Sequence, residues 1–124
     1  MIKRHYELKK ETIPKLKSGN GTIQLIDILS LNEMEHKGRL FAVTVIPPGC
    51  SIGSHAHKGD FETYYILNGK AEVNDSGKVC EVGPGDVTIC EDGSFHSIKN
   101  IGEANLEYIA LILYSSPNDH IEST

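Results

Sequence analysis

His55 and His57 stand one residue apart, Glu62 follows five residues after His57, and His96 lies much farther along the chain. In extended backbone, residues i and i+2 project from the same face, so the imidazoles of His55 and His57 point to one side and can chelate. Glu62 opens the apolar run 63–67, and by the same alternation Tyr64 and Ile66 share its face. Three neutral imidazoles with one carboxylate suit a divalent transition metal, whereas a calcium or magnesium site is built from oxygens. Taken singly these are ordinary polar positions: a His-x-His pair reads as a wet strand face and a glutamate at a strand start as a solvated one. The reading as ligands depends on what surrounds them.

Glycines surround them at fixed offsets. Gly49-x5-His55-x-His57-x4-Glu62-x6-Gly69 puts a bend before the chelating pair and a tight turn after the strand bearing the carboxylate. Gly85-x5-Glu91-x-Gly93-x2-His96-x3-Asn100 repeats the device around the fourth ligand. These stretches resemble the two motifs of the cupin superfamily. Gly49, His55, His57, Glu62 and Gly69 match the fixed positions of the first motif, and Gly85, Gly93, His96 and Asn100 match those of the second. Glu91 departs from the pattern, standing where the family usually has proline. The resemblance implies an all-β fold, a cupin-type antiparallel β-barrel of jelly-roll-like form. One metal ion per chain would then lie between the sheets on His55, His57, Glu62 and His96. The resemblance also implies a compact bacterial-type single-domain protein that forms a homodimer. The family implies manganese, iron, nickel, zinc or copper, and the histidine-rich donor set favours manganese(II), iron(II) or nickel(II).

An ion held by four protein ligands keeps open positions, at which a small oxygenated metabolite or dioxygen can bind. As a Lewis acid it polarises a carbonyl beside a moving proton, the basis of isomerase, epimerase, decarboxylase or lyase chemistry. As iron(II) it brings substrate and dioxygen together, the basis of a dioxygenase. Proton transfer needs a second titratable group near the ion, and Tyr64, on the face of Glu62, is the candidate catalytic residue. Asp60 is read as a loop residue, Cys50 as a buried thiol beside the Gly49 bend, and His5, His36 and His120 as surface residues. The competing class is a non-catalytic module that binds or senses a sugar or organic acid. Either way the partner is a small molecule.

The elements that must position these residues are short strands. From Gly69 the glycines recur at Gly77, Gly85, Gly93 and Gly102, and between them lie β-branched and aromatic runs at 71–73, 79–82, 87–89 and 95–98. With 63–67 and an upstream run at 40–46, this spacing predicts an antiparallel sandwich or barrel. Asn68-Gly69 reads as a two-residue hairpin turn, and Gly83-Pro84-Gly85-Asp86 as a turn that neither helix nor central strand can cross. The runs 23–31 and 106–114 fit helical and strand spacing equally, and are read as strands because everything between them is β. A short helical turn is expected within 1–17. The chain reads as one cupin domain, 1–124, with its core at about 22–114, an N-terminal arm at 1–21 and a polar tail at 115–124.

Composition excludes several partners. The 124 residues are 39% hydrophobic and 23% charged, the make-up of one ordinary globular domain. A net charge of −5 opposes phosphate binding, and the basic stretch 3–17 is diluted by Glu7 and Glu11, so nucleic acid is not an expected partner. The longest apolar run, 108–114, is far short of a membrane span, and 1–17 lacks the apolar core of a secretory signal, so a cytoplasmic protein is expected. Cys50, Cys80 and Cys90 have no C-x-x-C spacing and are read as free, buried thiols.

Overall fold

The computed structural model describes residues 1–116, so the expectations for His120 and for most of the polar tail lie outside the described residues. Ten strands follow in order: β1 Lys10–Pro14, β2 Thr22–Asp27, β3 Gly38–Ile46, β4 Ser51–Ala56, β5 Asp60–Asn68, β6 Ala71–Asp75, β7 Lys78–Val82, β8 Val87–Cys90, β9 Phe95–Asn100 and β10 Leu106–Tyr114. They form a six-stranded sheet in the order β1-β2-β3-β10-β5-β8 and a four-stranded sheet in the order β4-β9-β6-β7. Every pairing is antiparallel.

The jelly-roll architecture is therefore that expected, as two sheets packed face to face rather than a closed ring of hydrogen bonds. β10, ambiguous by periodicity, is a strand because β3 and β5 pair with its two edges, leaving one face buried and the other half-buried. Its inward residues Leu106, Tyr108, Ala110 and Ile112 are buried. Between the sheets Ile23, Ile46, Ile66, Ala71, Val73, Ile98 and Leu106 form the apolar core. Burial of the valine, leucine and isoleucine side chains stabilises the fold by roughly 1.5–3 kcal/mol each.

Three expectations about elements need correction. The arm at 1–21 holds a strand, β1, as well as short 3-10 turns at His5–Glu7 and Leu16–Ser18. β1 is an edge strand with little buried surface, so its sequence lacks the alternation that would announce it, and Pro14 is tolerated at its end. The run 23–31 stops being strand at Asp27, because the amides of Ile28 and Leu29 both turn to the Phe41 carbonyl. Asn68-Gly69 is not a hairpin turn: β5 and β6 belong to different sheets, and the pair carries the chain across between them. Gly69 has φ +91°, and a Cβ there would lie 2.8 Å from the Asn105 carbonyl oxygen, so the crossover requires glycine. The hairpin that does form joins β6 to β7 through Ser76 and Gly77, both at positive φ.

Candidate metal centre

β4 and β9 bring the histidines together. Ile52 lies opposite Ile98 and His55 opposite His96, so three steps on β4 match two on β9 and one extra residue is taken up at 53–54. Ile52 is buried in the core, and plain alternation would turn His55 away from it. The bulge restores His55 to the inner face, with His57 two residues later just past the strand end. Gly53 sits at this bulge because the 3-10 turn Leu16–Ser18 presses against it: any Cβ there would collide with the Lys17 carbonyl.

Glu62 arrives from β5, whose inward positions are Asp60, Glu62, Tyr64 and Ile66. The donor atoms converge: Nε2 of His96 lies 3.0 Å from Nε2 of His55, 3.2 Å from Nε2 of His57 and 2.9 Å from Glu62 Oε1. Glu62 Oε1 is also 3.1 Å from His57 Nε2 and 3.7 Å from His55 Nε2. His57, Glu62 and His96 are buried, and His55 is nearly so.

The outer ring nitrogens decide the tautomers. His55 Nδ1 is 2.8 Å from the Gly53 carbonyl, which can only accept, so this nitrogen donates and Nε2 presents a lone pair to the centre. His57 Nδ1 likewise donates to Asp60 Oδ1 at 2.7 Å. Asp60 was expected in a loop; instead it opens β5, buried, with its second oxygen accepting from Arg39 Nε at 3.0 Å. The sequence offered one signal, an acidic residue at period two from Glu62, which places it on the same inner face. Arg39 itself was missed.

Protonation follows from these contacts. Burial raises the Glu62 carboxyl, but hydrogen bonds from His55, His57 and His96 outweigh it and hold the group well below the usual carboxylate range. His57 is raised, chiefly by its hydrogen bond to Glu62 and also by Asp60, against the opposing effect of burial. Tyr64 donates to Glu62 Oε1 at 3.2 Å and stacks on the His96 ring with centroids 5.1 Å apart. Burial first, then the charges of Tyr108 and Glu62, push its phenol well above the ordinary value, so it stays protonated. Cys90, the cross-strand neighbour of Glu62, is buried and pushed up to about 11, burial being the largest cause. It is an inert thiol.

His55, His57 and Glu62 of the cluster line one wall of a cavity of about 240 Å³ whose other walls include Leu25, Leu40, Ile52, Ala110 and Ile112, with Lys17 and Arg39 as its cations. Tyr64 lines it and Cys50 does not. Cys50 is half-buried against the apolar core, Cys80 is exposed, and only Cys90 fits the expectation of a buried thiol. His5 and His36 are exposed, as expected.

A family model described as a cupin domain matches residues 42–112. The chain belongs to the cupin family. Among its relatives is a Thermotoga maritima protein named oxalate-binding protein, 41% identical over 113 residues, which are 91% of this chain and 93% of that one. A crystal structure of a predicted oxalate decarboxylase from Thermotoga maritima superposes with a TM-score of 0.88 at 40% identity, covering 92% of this chain and 99% of that one. The cupin domain of Schizosaccharomyces pombe Cnp3, at 17% identity and a TM-score of 0.71 over 91% of this chain and 74% of that one, shares the fold.

The donor set of this cupin fits the metal its family implies. His55, His57, Glu62 and His96 each offer one atom within 4.8 Å of all the others. Ligands about 2.1 Å from a common ion and at right angles to one another lie about 3.0 Å apart, close to most of the spacings above. Two imidazole lone pairs and a carboxylate facing one point repel unless a cation or a proton stands among them. His96 Nδ1 is buried without a partner among the described residues, so no protein group sets its tautomer, and a cation on Nε2 would. Glu91 does not loosen the second motif. The turn closes through Ser94 N–H to the Glu91 carbonyl at 3.0 Å, Gly93 takes φ +88°, and its N–H donates to the His57 carbonyl at 2.8 Å. Asn100, the motif's last residue, is structural, its amide donating to the Ile46 and Ala104 carbonyls.

Proposed function

We propose that this cupin holds one divalent transition metal on His55, His57, Glu62 and His96 and binds over it a small acid of oxalate's class. The observation that carries the reading is the convergence of the four donors, three of which, His55, His57 and Glu62, line a small cavity whose other charged groups are Arg39 and Lys17. The names of the Thermotoga maritima relatives support the same ligand class. A bound divalent ion would act as a Lewis acid toward an acid's oxygens.

The protein's own groups do the rest. Gly53 and Asp60 hold His55 and His57 in the tautomer that presents Nε2. Tyr64 keeps its proton and donates it toward Glu62 Oε1, steadying the carboxylate. The apolar walls lower the local dielectric and so strengthen charge interactions at the site. At about 240 Å³ the cavity is below the roughly 300–1,000 Å³ of drug-sized pockets, which suits a ligand of a few heavy atoms.

A second reading, turnover of the acid, is favoured by one observation: Tyr64 places a protic group inside the cavity beside Glu62. One experiment separates the two. Elemental analysis of purified protein is followed by calorimetric titration of oxalate into metal-loaded and metal-free samples, and by carbon-13 NMR of labelled oxalate for products. Metal-dependent binding without products supports the binding module; products that vanish in Y64F with metal retained support the enzyme. Full metal occupancy with no binding of oxalate overturns both.

The homodimer also belongs to this proposal. Tyr65, Leu67, Val87 and Ile89 are 44–58% exposed on the outer face of the six-stranded sheet, and they leave on the order of 400 Å² of apolar area in water. That is about half of what one partner of a standard interface buries. The adjacent free edge of β8 carries neither charge nor proline to deter pairing. A second copy is the occupant that the uncharged face and free edge suit. Light scattering should give twice 13.6 kDa, with V87D/I89D falling to the monomer.

A further inference from the structure

Arg39 lies where strict β geometry would not put it. On β10, Ile112 is opposite Leu40 but Leu113 is opposite Gly38, so Arg39 is the extra residue of a bulge in β3. Neighbouring strand residues project to opposite faces, yet Arg39 and Leu40 both line the cavity. The bulge turns the arginine inward, as bulges beside functional sites do.

The guanidinium is also anchored. Its Nε donates to Asp60 Oδ2 at 3.0 Å, and Asp60 Oδ1 accepts from His57 Nδ1, so a single carboxylate links Arg39 to the donor cluster. The Asp60 side chain is 7% exposed whereas that of Arg39 is 50% exposed. Of the five N–H donors of a guanidinium only Nε is used; the two Nη groups make no hydrogen bond among the described residues. Arginine presents them as a planar fork that matches a carboxylate in two parallel hydrogen bonds. Among the described residues Glu62 is the sole carboxylate lining the cavity, so an anion entering there meets no other negative group.

We infer that Arg39 is the specificity-determining residue of the site, receiving on its Nη fork the second carboxylate of a short dicarboxylate whose first end lies at the donor cluster. This rests on the reading of the site as a metal-dependent acid-binding centre and narrows its ligand to diacids. The probes are oxalate and glycolate, two acids of similar size that both chelate metals and differ in the second carboxylate. Metal-loaded wild-type, R39Q and R39K proteins are titrated with each by calorimetry, with metal content measured alongside.

R39Q weakens oxalate by about 10-fold or more and changes glycolate by less than about 2-fold. R39K keeps a charge for Asp60 but has no fork, and it weakens oxalate by several-fold with metal content at the wild-type level. Oxalate affinity unchanged in both variants overturns the inference and leaves the acid-binding reading standing. Equal losses for oxalate and glycolate also overturn it, since they would mark Arg39 as a general support of the site. A wild-type protein that carries metal and binds neither acid removes the underlying reading and the inference with it.

Discussion

The space between the two sheets has two ends made by the same strands. Along β5 the inward residues run Asp60, Glu62, Tyr64, Ile66; along β9 they run His96, Ile98, Asn100; along β10, read backwards, Ile112, Ala110, Tyr108, Leu106. At one end Ile46, Ile66, Ile98 and Leu106 fill the space, and at the other a cavity remains with titratable groups on its wall. Tyr64 and Tyr108, with ring centroids 4.3 Å apart, stand at the boundary. Both ends obey the period-two pleat in β5, β9 and β10. What distinguishes the site end is that its two bulges, at Gly53 in β4 and at Arg39 in β3, each turn a functional side chain inward, whereas the register shift at the apolar end, between Glu107 and Tyr108 against β5, aims none. The apolar end holds the fold, and the other end holds the candidate site.

The two ends are expected to fail differently. The largest effect is expected from H57A/H96A: metal occupancy should fall from near one ion per chain to near zero, while circular dichroism still shows the β fold, because the apolar end needs no ion. Unfolding of this variant and of chelated wild-type protein would make the ion a structural staple and erase the comparison.

At the other end, I66A should cost about 3 kcal/mol in denaturant unfolding, since Ile66 is 1% exposed, and should leave metal stoichiometry unchanged. G53A probes the junction. Its Cβ meets the Lys17 carbonyl, so either the 3-10 turn moves or the bulge closes, at a cost of about 2 kcal/mol and with lowered metal affinity in the same variant. Stability lost with metal affinity untouched would show that the bulge does not aim His55.

D60N keeps the shape of the Asp60 side chain but weakens its hold on His57 Nδ1, and metal affinity should fall about 10- to 100-fold in a competition assay with little change in melting. The smallest effect is on pH. His57 is raised above its ordinary 6.5 in the folded metal-free protein, so its contribution to stability is fully present below 6.5 and is lost as pH rises through its folded value. Metal binding requires the neutral ring and runs the other way. The gain in melting temperature on adding metal should therefore be larger at pH 8 than at pH 6, as read by differential scanning calorimetry. An equal gain at both would show that the ion does not displace the His57 proton.

Much of this was legible in the sequence because it is local. A strand's faces alternate every residue, so His55, His57, Glu62 and Tyr64 could be grouped from spacing, and glycine and proline punctuate turns by restricting φ, so most strand positions could be read from them. The strand assignment of 106–114 also came from context, though only its pairing with β3 and β5 explains it. What escaped was decided by contacts between distant segments. Asn68-Gly69 reads as a hairpin from its residue types, and only the backbone of Asn105 and Leu106 against Gly69 makes it a crossover. β1 has almost no inward face to write into its sequence, and its existence depends on β2. Asp60 became a partner of His57, and Arg39 a wall of the cavity, through a strand start and a bulge whose positions are set by pairing across the sheet. The sequence by itself determined which side chains can hold a metal, since that is a matter of donor chemistry and period. The tertiary structure alone decided which way they face, since a single extra residue in a ladder reverses every side chain beyond it.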